Sequence, residues 1–548
     1  MLSSCASADK MVSMAEQVDI KCAPSPLVVA GGIIRADLAV TYPKDFFNPR
    51  AIMEVTPVLV YESGETAAEA LMLQGDKVKD NYRVAPAGGA KITHRASFPF
   101  KKGMERCSLE LRARCTLDRG KNWATLPTRK VADGCDITET LASYSGYYTP
   151  KAHNYQPILM MTEEGQVMYN INSAEVRKEE ISSESIGKFA DGLRDALMSE
   201  RKNVKNVEVL AYASPEGKED FNKELSGDRS KTARQAFEKI TRDEDMYGIK
   251  AEIRSVGEDW VGFQELVAAS NIEDKDLILR VLSMYNDSNV REQEIRNMSS
   301  IFQDLAQEVL PQLRRARFIA NVQFINYSDD ELRQMIKDNS DVLDEEALLK
   351  TAELCKNNSD KKTVLQKAVE KYGSARAKFN LACVALDEGG NAEAEKIIAA
   401  LDASDKDVEN LQGVLAMRSG NWEKASKLFE DAQTAKEDFD GNVTPACAAA
   451  HRNVGLVAMH DGRYSIAAAQ TAPEGIDGAV ARLLDGKPAA ALSCIQNCDS
   501  PEADYIRAVC YKRSGKIAEA KEALQKACKA DPALASRAEL DIEFTKLK

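Results

Sequence analysis

The pattern of apolar and polar residues divides the chain into three regions. From about residue 18 to residue 134, apolar residues alternate with polar ones in strand-length runs, and turns containing glycine, proline and aspartate separate the runs. The runs cover 27–42, 51–62, 92–100 and 108–117. A β-sandwich is the natural closure for such a set, and the pair Gly31-Gly32 is typical of a turn. We therefore predict a β-sandwich domain over 18–136 and a linker rich in Ser, Tyr and Thr over 137–155.

The middle of the chain alternates between the two periodicities. The pattern predicts a βαβαβ order, with strands at 165–171, 207–213 and 249–256 and helices at 184–200 and 220–241. A mainly helical insert, 257–313, then precedes a last strand at 318–325. In the insert, apolar residues such as Trp260, Phe263 and Val267 recur at helix spacing, which predicts a helical lid packed on the sheet.

From residue 327 to residue 548 the pattern changes to recurring pairs of helices. In each pair, a small residue lies seven positions before a loop glycine and an alanine lies five positions after it. The loop glycines are Gly389, Gly420, Gly462, Gly486 and Gly515, and their spacing is irregular, at 31, 42, 24 and 29 residues. Small residues are expected where two helices cross closely, and helices over about 329–372 are expected to cap or precede the array.

One stretch of the middle region, 207–237, predicts a ligand site. A strand ends there in the loop Ser-Pro-Glu-Gly at 214–217, and a helix follows from about Asp220. Asn222, Ser226 and Arg229 are spaced at i, i+4 and i+7, so they form one polar stripe on that helix. The first turn of a helix favours an anionic group, and an arginine offers a planar fork to a carboxylate.

These residues resemble the motif of the OmpA-like peptidoglycan-binding domain, roughly G-H/Y-T-D-x-x-G followed by N-x-x-L-S-x-x-R-A. The matching residues are Tyr212, Gly217, Asn222, Leu225, Ser226 and Arg229, and 167–177 is similar to the first strand of the family and its turn. The resemblance covers 156–326. It also extends to a subgroup with the S-P-E-G variant, found in cell-envelope proteins of Bacteroidota, some of them associated with fimbriae.

The resemblance implies a specific ligand. In the family, an aspartate and an arginine fifteen residues apart hold the amine and the carboxylate of diaminopimelate in the peptidoglycan stem peptide. Arg229 keeps the arginine position here, whereas Ser214 occupies the aspartate position, and Glu216 is the candidate partner for the amine. The predicted ligand-binding residues are therefore Ser214, Glu216, Asn222 and Arg229.

The C-terminal pairs of helices resemble the tetratricopeptide repeat. The best match runs from Ala508 through Tyr511, Gly515, Ala520, Leu524 and Ala527 to Pro532. Such arrays stack into solenoids whose concave surface binds proteins or peptides. The resemblance therefore implies protein partners for the region 327–548.

The first residues carry a possible membrane signal. Leu2-Ser3-Ser4-Cys5 resembles the bacterial lipobox, which implies lipidation of Cys5 and a tether over residues 1–17. The charged and apolar parts of a signal peptide would then have to precede Met1. The alternative is a chance tetrapeptide with a free cysteine.

The predicted β region contains four cysteines, Cys22, Cys107, Cys115 and Cys135. They either form disulfides in an oxidising envelope or remain buried thiols.

Composition narrows the functional classes. With 44% hydrophobic and 29% charged residues the chain is globular, and a net charge of −13 argues against nucleic acid as a partner. The four histidines are scattered, and H-E-x-x-H, G-x-S-x-G and Walker motifs do not occur in the sequence. We therefore predict no catalytic residue, metal or cofactor.

Together these patterns predict a non-enzymatic scaffold lipoprotein of the outer membrane, lipid-anchored and facing the periplasm. Its repeats would recruit cell-envelope proteins in a surface-assembly or secretion system. The alternative is a peptidoglycan anchor that holds the stem peptide through the OmpA-like domain.

Overall fold

The computed structural model describes residues 5–117, 122–272, 275–285, 287–297, 299–437 and 443–545. The chain forms two compact units. The first combines Met1–Lys151 with Val369–Lys548, and the second is Ala152–Ala368. The N-terminal β region and the C-terminal repeats therefore belong to one unit, although the second unit lies between them in sequence.

The first unit begins with helix α1 (Cys5–Ser13) and continues as two β-sheets. The strands are β1 (Asp19–Ala30), β2 (Ile33–Tyr42), β3 (Ala51–Tyr61), β4 (Gly64–Ala67), β5 (Leu71–Gln74), β6 (Arg83–Val84), β7 (Ala90–Pro99), β8 (Cys107–Leu117), β9 (Ala124–Thr125), β10 (Arg129–Asp133) and β11 (Cys135–Asp136). One sheet has the order β11-β1-β2-β7. The other has the order β10-β8-β3-β5-β6, with β4 paired to β3 and β9 paired to β8.

The alternation of buried and more exposed residues explains how these strands pack. In β2, every second residue from Ile34 to Tyr42 is buried, and β3 and β8 of the other sheet contribute to the same apolar cluster. Gly31 and Gly32 close the β1–β2 hairpin with φ of +60° and +69°, a conformation that glycine adopts without a steric penalty. The prediction of a β-rich N-terminal region with sheets around a shared core is confirmed.

The N-terminal helix differs from the predicted tether over 1–17. Met11, Ala15 and Val18 are buried in the core between the sheets. The chain therefore joins the β region from about Met11 onward, because these apolar side chains find partners there. The side chain of Cys5, the predicted lipidation site, lies outside the described residues.

The cysteines of the β region have free thiols in this structure. Cys107, Cys115 and Cys135 are buried and Cys22 is half-buried. The Cys135 thiol donates to Asp136 O at 3.8 Å. Of the two alternatives that the sequence leaves open, the structure shows unpaired cysteines.

The second unit contains a four-stranded sheet, two covering helices and further helices. Its elements are β12 (Ile158–Met168), α2 (Lys178–Ile181), α3 (Glu184–Met198), β13 (Lys202–Ala213), α4 (Glu219–Asp243), β14 (Ala251–Glu258), α5 (Trp260–Ala269), α6 (Lys275–Met284), α7 (Ser288–Asn297), α8 (Ser299–Glu308), β15 (Arg315–Ile325), α9 (Asp329–Asp338), α10 (Glu345–Leu354) and α11 (Asn358–Tyr372). The sheet order is β12-β15-β13-β14. Strand β15 runs antiparallel to both neighbours, whereas β13 and β14 are parallel.

Helices α3 and α4 each bury one face against the sheet. Phe189 of α3, Phe237 of α4 and Phe318 of β15 meet at the centre of this core. The insert behaves differently from the predicted lid. Phe263, Val267 and the other apolar residues of α5 to α8 form a separate cluster, so the insert has a core of its own.

The region after residue 326 also divides differently from the prediction. Helices α9 and α10 and most of α11 belong to the second unit, which ends at Ala368. They begin with strong local signals: Ser328 and Glu331 form a capping box at the start of α9, and Asp344 caps α10. The repeats of the first unit therefore begin near residue 369, and the predicted array over 327–548 starts too early.

In the described part of the chain, the helices from α12 to α21 form five antiparallel hairpins of two consecutive helices each, and a single helix, α22, follows. The helices are α12 (Ala375–Asp387), α13 (Asn391–Ile398), α14 (Lys406–Arg418), α15 (Trp422–Ala432), α16 (Ala448–His460), α17 (Tyr464–Gln470), α18 (Ile476–Leu484), α19 (Pro488–Cys494), α20 (Pro501–Arg513), α21 (Ile517–Ala530) and α22 (Pro532–Leu540). A short pair of strands, β16 (Lys436–Glu437) and β17 (Val443–Thr444), lies in the longest spacing. All five predicted loop glycines have positive φ, between 74° and 80°. Within the described ranges, no helix combines the length and apolar character needed to cross a membrane.

Candidate functional site

The predicted ligand-binding residues surround one cavity in the second unit. Its volume is about 610 Å³, and its walls come from the turn after β12, the loop after β13, and helices α4 and α7. Ser214, Glu216, Asn222 and Arg229 all line it. The structure therefore brings together the four residues that the sequence predicts, and their role in binding stays a prediction.

Arg229 is held by main-chain carbonyl groups. Its side chain is fully buried, and its guanidinium donates to Ser173 O at 3.0 Å, Tyr212 O at 2.9 Å and Asn170 O at 3.2 Å. The Tyr169 ring lies 4.8 Å from its Cζ atom. Within the described ranges it forms no ion pair with a carboxylate, and burial lowers the pKa of Arg229 to about 10. Arg229 therefore ties the turn after β12 to the end of β13 while its charge stays uncompensated.

Glu216 is already engaged with a cation. Its carboxylate accepts two hydrogen bonds from Arg314, at 2.9 and 3.1 Å, and a third from the Ser214 hydroxyl at 2.6 Å. An ammonium group of a ligand would have to compete with Arg314 for the same oxygens. The carboxylate that the sequence offers as the amine partner is thus neutralised inside the protein.

The neighbouring arginines show the same internal pairing. Arg315 pairs with Asp259 at 2.8 Å, and Arg317 pairs with Glu164 at 2.6 Å. Arg314, Arg315 and Arg317 therefore each have a carboxylate partner within the unit.

Asn222 holds the Ser-Pro-Glu-Gly loop by hydrogen bonds to its main chain. Its side-chain nitrogen donates to Ser214 O, Gly217 O and Glu258 Oε1, at 3.2, 3.1 and 2.8 Å. On the next turn, the hydroxyls of Ser226 and Ser255 are 2.7 Å apart. The polar stripe on α4 therefore holds the Ser-Pro-Glu-Gly loop and β14 in place.

The cavity favours an anion on balance. Arg229 and Arg296 line it as cations, while Glu216 is offset by Arg314. Arg296 keeps 48% of its side chain exposed and reaches Glu216 O and Glu292. In the described part of the chain, no group of three or more His, Cys, Asp or Glu residues is placed to hold a metal ion.

A second candidate site lies in the first unit, on the surface built by α12, α14, α16 and α18, which we call the first-helix face. Residues 143–151, which we call the strap, have no regular secondary structure and run across this face. Ser143 contacts Asp477 of α18, Tyr147 contacts Asn453 of α16, and Lys151 contacts Asn380 of α12. The strap therefore crosses four consecutive hairpins in the direction opposite to their order in sequence.

Asparagine side chains form hydrogen bonds with the main chain of the strap. Asn453 accepts from Tyr147 N at 2.7 Å and donates to Tyr147 O at 2.8 Å, and Asn410 donates to the same oxygen at 2.9 Å. Asn380 forms the same two-point contact with Lys151, at 2.7 and 3.0 Å. Each pair reproduces the hydrogen bonds that a neighbouring β-strand would make.

The two ends of the strap meet acidic residues. Asp477 accepts from Ser143 N at 2.7 Å and from its hydroxyl at 2.9 Å. Burial raises the pKa of Asp477, although these hydrogen bonds oppose the effect. At the other end, Lys151 pairs with Asp405 and Asp407, and these charges raise its pKa against the opposing effect of burial.

Side chains of the strap also contact particular residues of the array, on the first-helix face and at the start of α15. The Tyr144 ring packs edge-on against Trp422, with centroids 5.1 Å apart, and the Tyr148 hydroxyl donates to Asp387 at 2.5 Å. Gly146 has φ of +84°, and a Cβ atom there would lie 2.8 Å from Val414 Cγ2. A glycine is therefore required where the strap lies closest to α14.

The sequence-based predictions missed this second site, although a signal was present. Asn380, Asn453 and Asp477 each lie two positions before the small residue of their repeat, and Asn410 lies three positions before Gly413. Polar residues that recur at nearly the same position of successive repeats point to a shared contact. The Ser- and Tyr-rich composition of the strap suggested only a linker.

The hairpins with their glycine loops define a helical-repeat array. Residues 410–474 match the family model described as tetratricopeptide repeat. The C-terminal region therefore contains tetratricopeptide repeats, which act in protein–protein interaction, and this part of the predicted organisation is confirmed.

Two solved structures show low similarity to this chain. A tetratricopeptide repeat protein from Parabacteroides merdae shares 13% identity over 39% of this chain and 91% of its own, with a TM-score of 0.28. The IFIT1 monomeric mutant with Gppp-AAAA shares 15% identity over 60% of this chain and 73% of its own, with a TM-score of 0.21. Scores this low carry no functional information. No curated protein matches the chain.

Proposed function

We propose that this protein is a non-enzymatic scaffold of the bacterial cell envelope that recruits protein partners through its repeat array. The observation that supports recruitment is the first-helix face. Asparagines there hold an extended segment by its main chain, at Tyr147 through the buried Asn453 and Asn410 and at Lys151 through the half-buried Asn380. A surface built this way suits an extended peptide from a partner protein.

Site-specific photo-crosslinking in cells tests recruitment. Arg452 is exposed and its Cζ atom lies 6.0 Å from the Tyr147 ring, so a photoreactive residue at 452 samples the first-helix face. A matched control places the same residue at Lys521, which is exposed on α21, a second helix of its hairpin. We expect adducts with defined envelope proteins from position 452 and not from position 521. Equal labelling at both positions, or none at 452, would contradict the proposal.

The location that we propose rests on the N-terminal motif. We propose that Cys5 carries lipid and anchors the chain to the outer membrane on the periplasmic side, as the lipobox-like Leu2-Ser3-Ser4-Cys5 implies. Metabolic labelling with an alkyne fatty acid, followed by membrane fractionation, tests the anchor. Label on the wild type and none on the Cys5→Ser variant is the expected result, whereas equal label would refute lipidation at this residue.

A peptidoglycan anchor is a second candidate function, favoured by one observation. The cavity of the second unit holds Arg229, a buried cation whose hydrogen-bond acceptors among the described residues are all main-chain carbonyls, and such a charge suits a ligand carboxylate. The family resemblance implies that this ligand is the carboxylate of the stem peptide.

Sedimentation with purified sacculi tests the anchor, but the choice of variant matters. Substituting Arg229 removes three internal hydrogen bonds, so loss of binding would not separate ligand contact from damage to the fold. Arg296→Ala changes a half-exposed wall of the same cavity, and Arg280→Ala, on exposed α6 surface, is the control. Lower retention of Arg296→Ala alone supports the anchor. No retention of the wild type excludes it.

A further inference from the structure

The strap has the properties of a bound ligand. None of residues 142–151 is buried, and all of them are exposed or half-buried. In contrast, Asn410 and Asn453 beneath it are 1% and 0% exposed. The face is thus covered by a segment that itself remains in contact with solvent.

The contacts of the strap fall into two groups, those to its main chain and those to its side chains. The asparagines bind main-chain N–H and C=O groups, which any extended peptide offers. Tyr144 against Trp422, Gly146 over Val414 and Lys151 between Asp405 and Asp407 then select an aromatic, a glycine and a basic residue. These features describe the kind of peptide that the face accepts.

We propose that the strap is an internal ligand that keeps the first-helix face closed, and that a partner binds only after the strap leaves. The partner is an extended, basic peptide that presents tyrosine and glycine with the spacing of residues 144–151. This regulation rests on the proposed recruitment of partners by the array. Since the strap is tethered, its effective concentration is on the order of millimolar, so a free peptide of micromolar affinity cannot displace it unaided.

The first test measures peptide binding to the full-length chain. The probe is a fluorescein-labelled synthetic peptide with the sequence of residues 142–152, and the readout is fluorescence anisotropy. We expect no binding to the wild type up to about 10 µM, because of the tethered competitor. Gly146→Val places a side chain against Val414 and requires an unfavourable φ, so it should loosen the strap and tighten apparent peptide affinity at least tenfold.

Two further variants make the result specific. Thr149→Ala, at an exposed strap position, is the matched control and should behave as the wild type. Asn453→Ala added to Gly146→Val should abolish peptide binding, because it removes the two-point contact with the main chain. If the Gly146→Val chain folds and does not bind the peptide, or if the wild type binds it equally well, the proposal is wrong.

A second measurement uses the wild type alone and does not depend on a variant that folds. Hydrogen exchange mass spectrometry compares the amides of Tyr147 and Lys151 with those of the hairpin helices. An internal ligand opens locally, so strap amides should exchange at least a hundredfold faster than the core of α14 and α16. Exchange of the strap only with global unfolding would overturn the proposal. Failure to find a partner in cells would instead count against the proposed function alone, since neither measurement here needs that partner.

Discussion

At the scale of single residues, Arg229 shows how a predicted ligand residue can also be structural. Its guanidinium joins three carbonyl oxygens, from Asn170, Ser173 and Tyr212, which lie on two separate segments. We expect Arg229→Ala to lower the free energy of unfolding of the second unit by about 2 to 3 kcal/mol, because buried carbonyl groups lose their donors. Urea unfolding, followed by the fluorescence of a chain that retains only Trp260, measures this change.

The control for this substitution lies on the same helix. Arg234 is exposed on α4, so Arg234→Ala should change the free energy of unfolding by no more than about 0.5 kcal/mol. Equal effects of the two substitutions would show that the carbonyl contacts of Arg229 contribute little to stability.

The sequence predicted much of this site at residue level. Helical spacing placed Asn222, Ser226 and Arg229 on one stripe, and the structure has them there on α4. It could not predict that Arg314 neutralises Glu216, because these residues are 98 positions apart and the sheet order brings them together. Local spacing identifies which side chains share a face, whereas the partners across a cavity depend on tertiary topology.

At the scale of elements, small residues set how closely the repeat helices pack. A Cβ atom at Gly455 would lie 2.7 Å from Thr471 N, and one at Gly413 would lie 2.5 Å from Phe429 Cε1. The first obstacle is main chain, whereas the second is the buried side chain of Phe429. We therefore expect Gly455→Ala to destabilise the first unit by about 2 kcal/mol, and Gly413→Ala to cost about half as much.

Chemical denaturation of the first unit, in a Trp260→Phe background, measures both changes. Alanine itself favours a helix over glycine by about 1 kcal/mol, so a position without a clash should gain stability. At Gly227 in α4, a Cβ atom would meet open space out to 4 Å among the described residues, and Gly227→Ala is the control for that gain in the second unit. A stabilised Gly455→Ala chain would contradict the packing observed at α17.

Element types were more predictable than element bounds. The helices predicted at 184–200 and 220–241 occur at Glu184–Met198 and Glu219–Asp243. The first strand of the sheet was expected at 165–171 but runs over Ile158–Met168, since it pairs along its whole length with β15. Periodicity within a strand does not reveal how far its partner extends.

At the scale of the whole molecule, the β region and the repeats join through charged contacts. Arg513 of α20 donates to Asp136 at 2.7 Å and to Glu543 at 2.8 Å, and Lys512 also pairs with Glu543 at 2.8 Å. The sequence could not predict this junction, because 377 positions separate Arg513 from Asp136. Composition and periodicity instead suggested separate domains at the two ends of the chain.

We expect Arg513→Ala to uncouple these two parts of the first unit. Removing one partner of a mostly buried pair should cost about 3 kcal/mol, at the lower end of the usual range, because Arg513 keeps 22% of its side chain exposed. Calorimetry should then resolve two transitions for this unit, whereas we expect one for the wild type. Lys521→Ala, at an exposed position of α21, is the control, and a single shifted transition for Arg513→Ala would argue against the junction.

The two units should also respond differently to acid. In the first unit, burial raises the pKa of three carboxyl groups, Glu139, Asp477 and Asp541. A carboxyl whose pKa is raised on folding contributes stability below its ordinary pKa, and this contribution is lost as pH rises through the folded value. In the second unit, hydrogen bonds from Ser328 and Arg201 lower the pKa of Glu331 to about 2, so its contribution is present above about 4.5 and lost as pH falls toward 2.

Urea unfolding of each unit between pH 7 and pH 3, followed by tryptophan fluorescence, tests this difference. In the Trp260→Phe chain the remaining tryptophans report on the first unit. In the Trp123→Phe/Trp422→Phe chain the remaining Trp260 reports on the second. In the first unit, the three carboxyl groups should add stability as pH falls from 7 toward 4.5, whereas burial lowers the pKa of His460 and its protonation opposes this gain. In the second unit, Glu331 should cause a loss of stability below about 4.5. Asp477→Asn should flatten the rise in the first unit, since it removes one titrating group but keeps an acceptor for Ser143 N. Glu331→Gln should flatten the fall in the second unit. If Asp477→Asn leaves the slope of the first unit unchanged, the carboxyl under the strap does not carry the raised pKa that its burial implies.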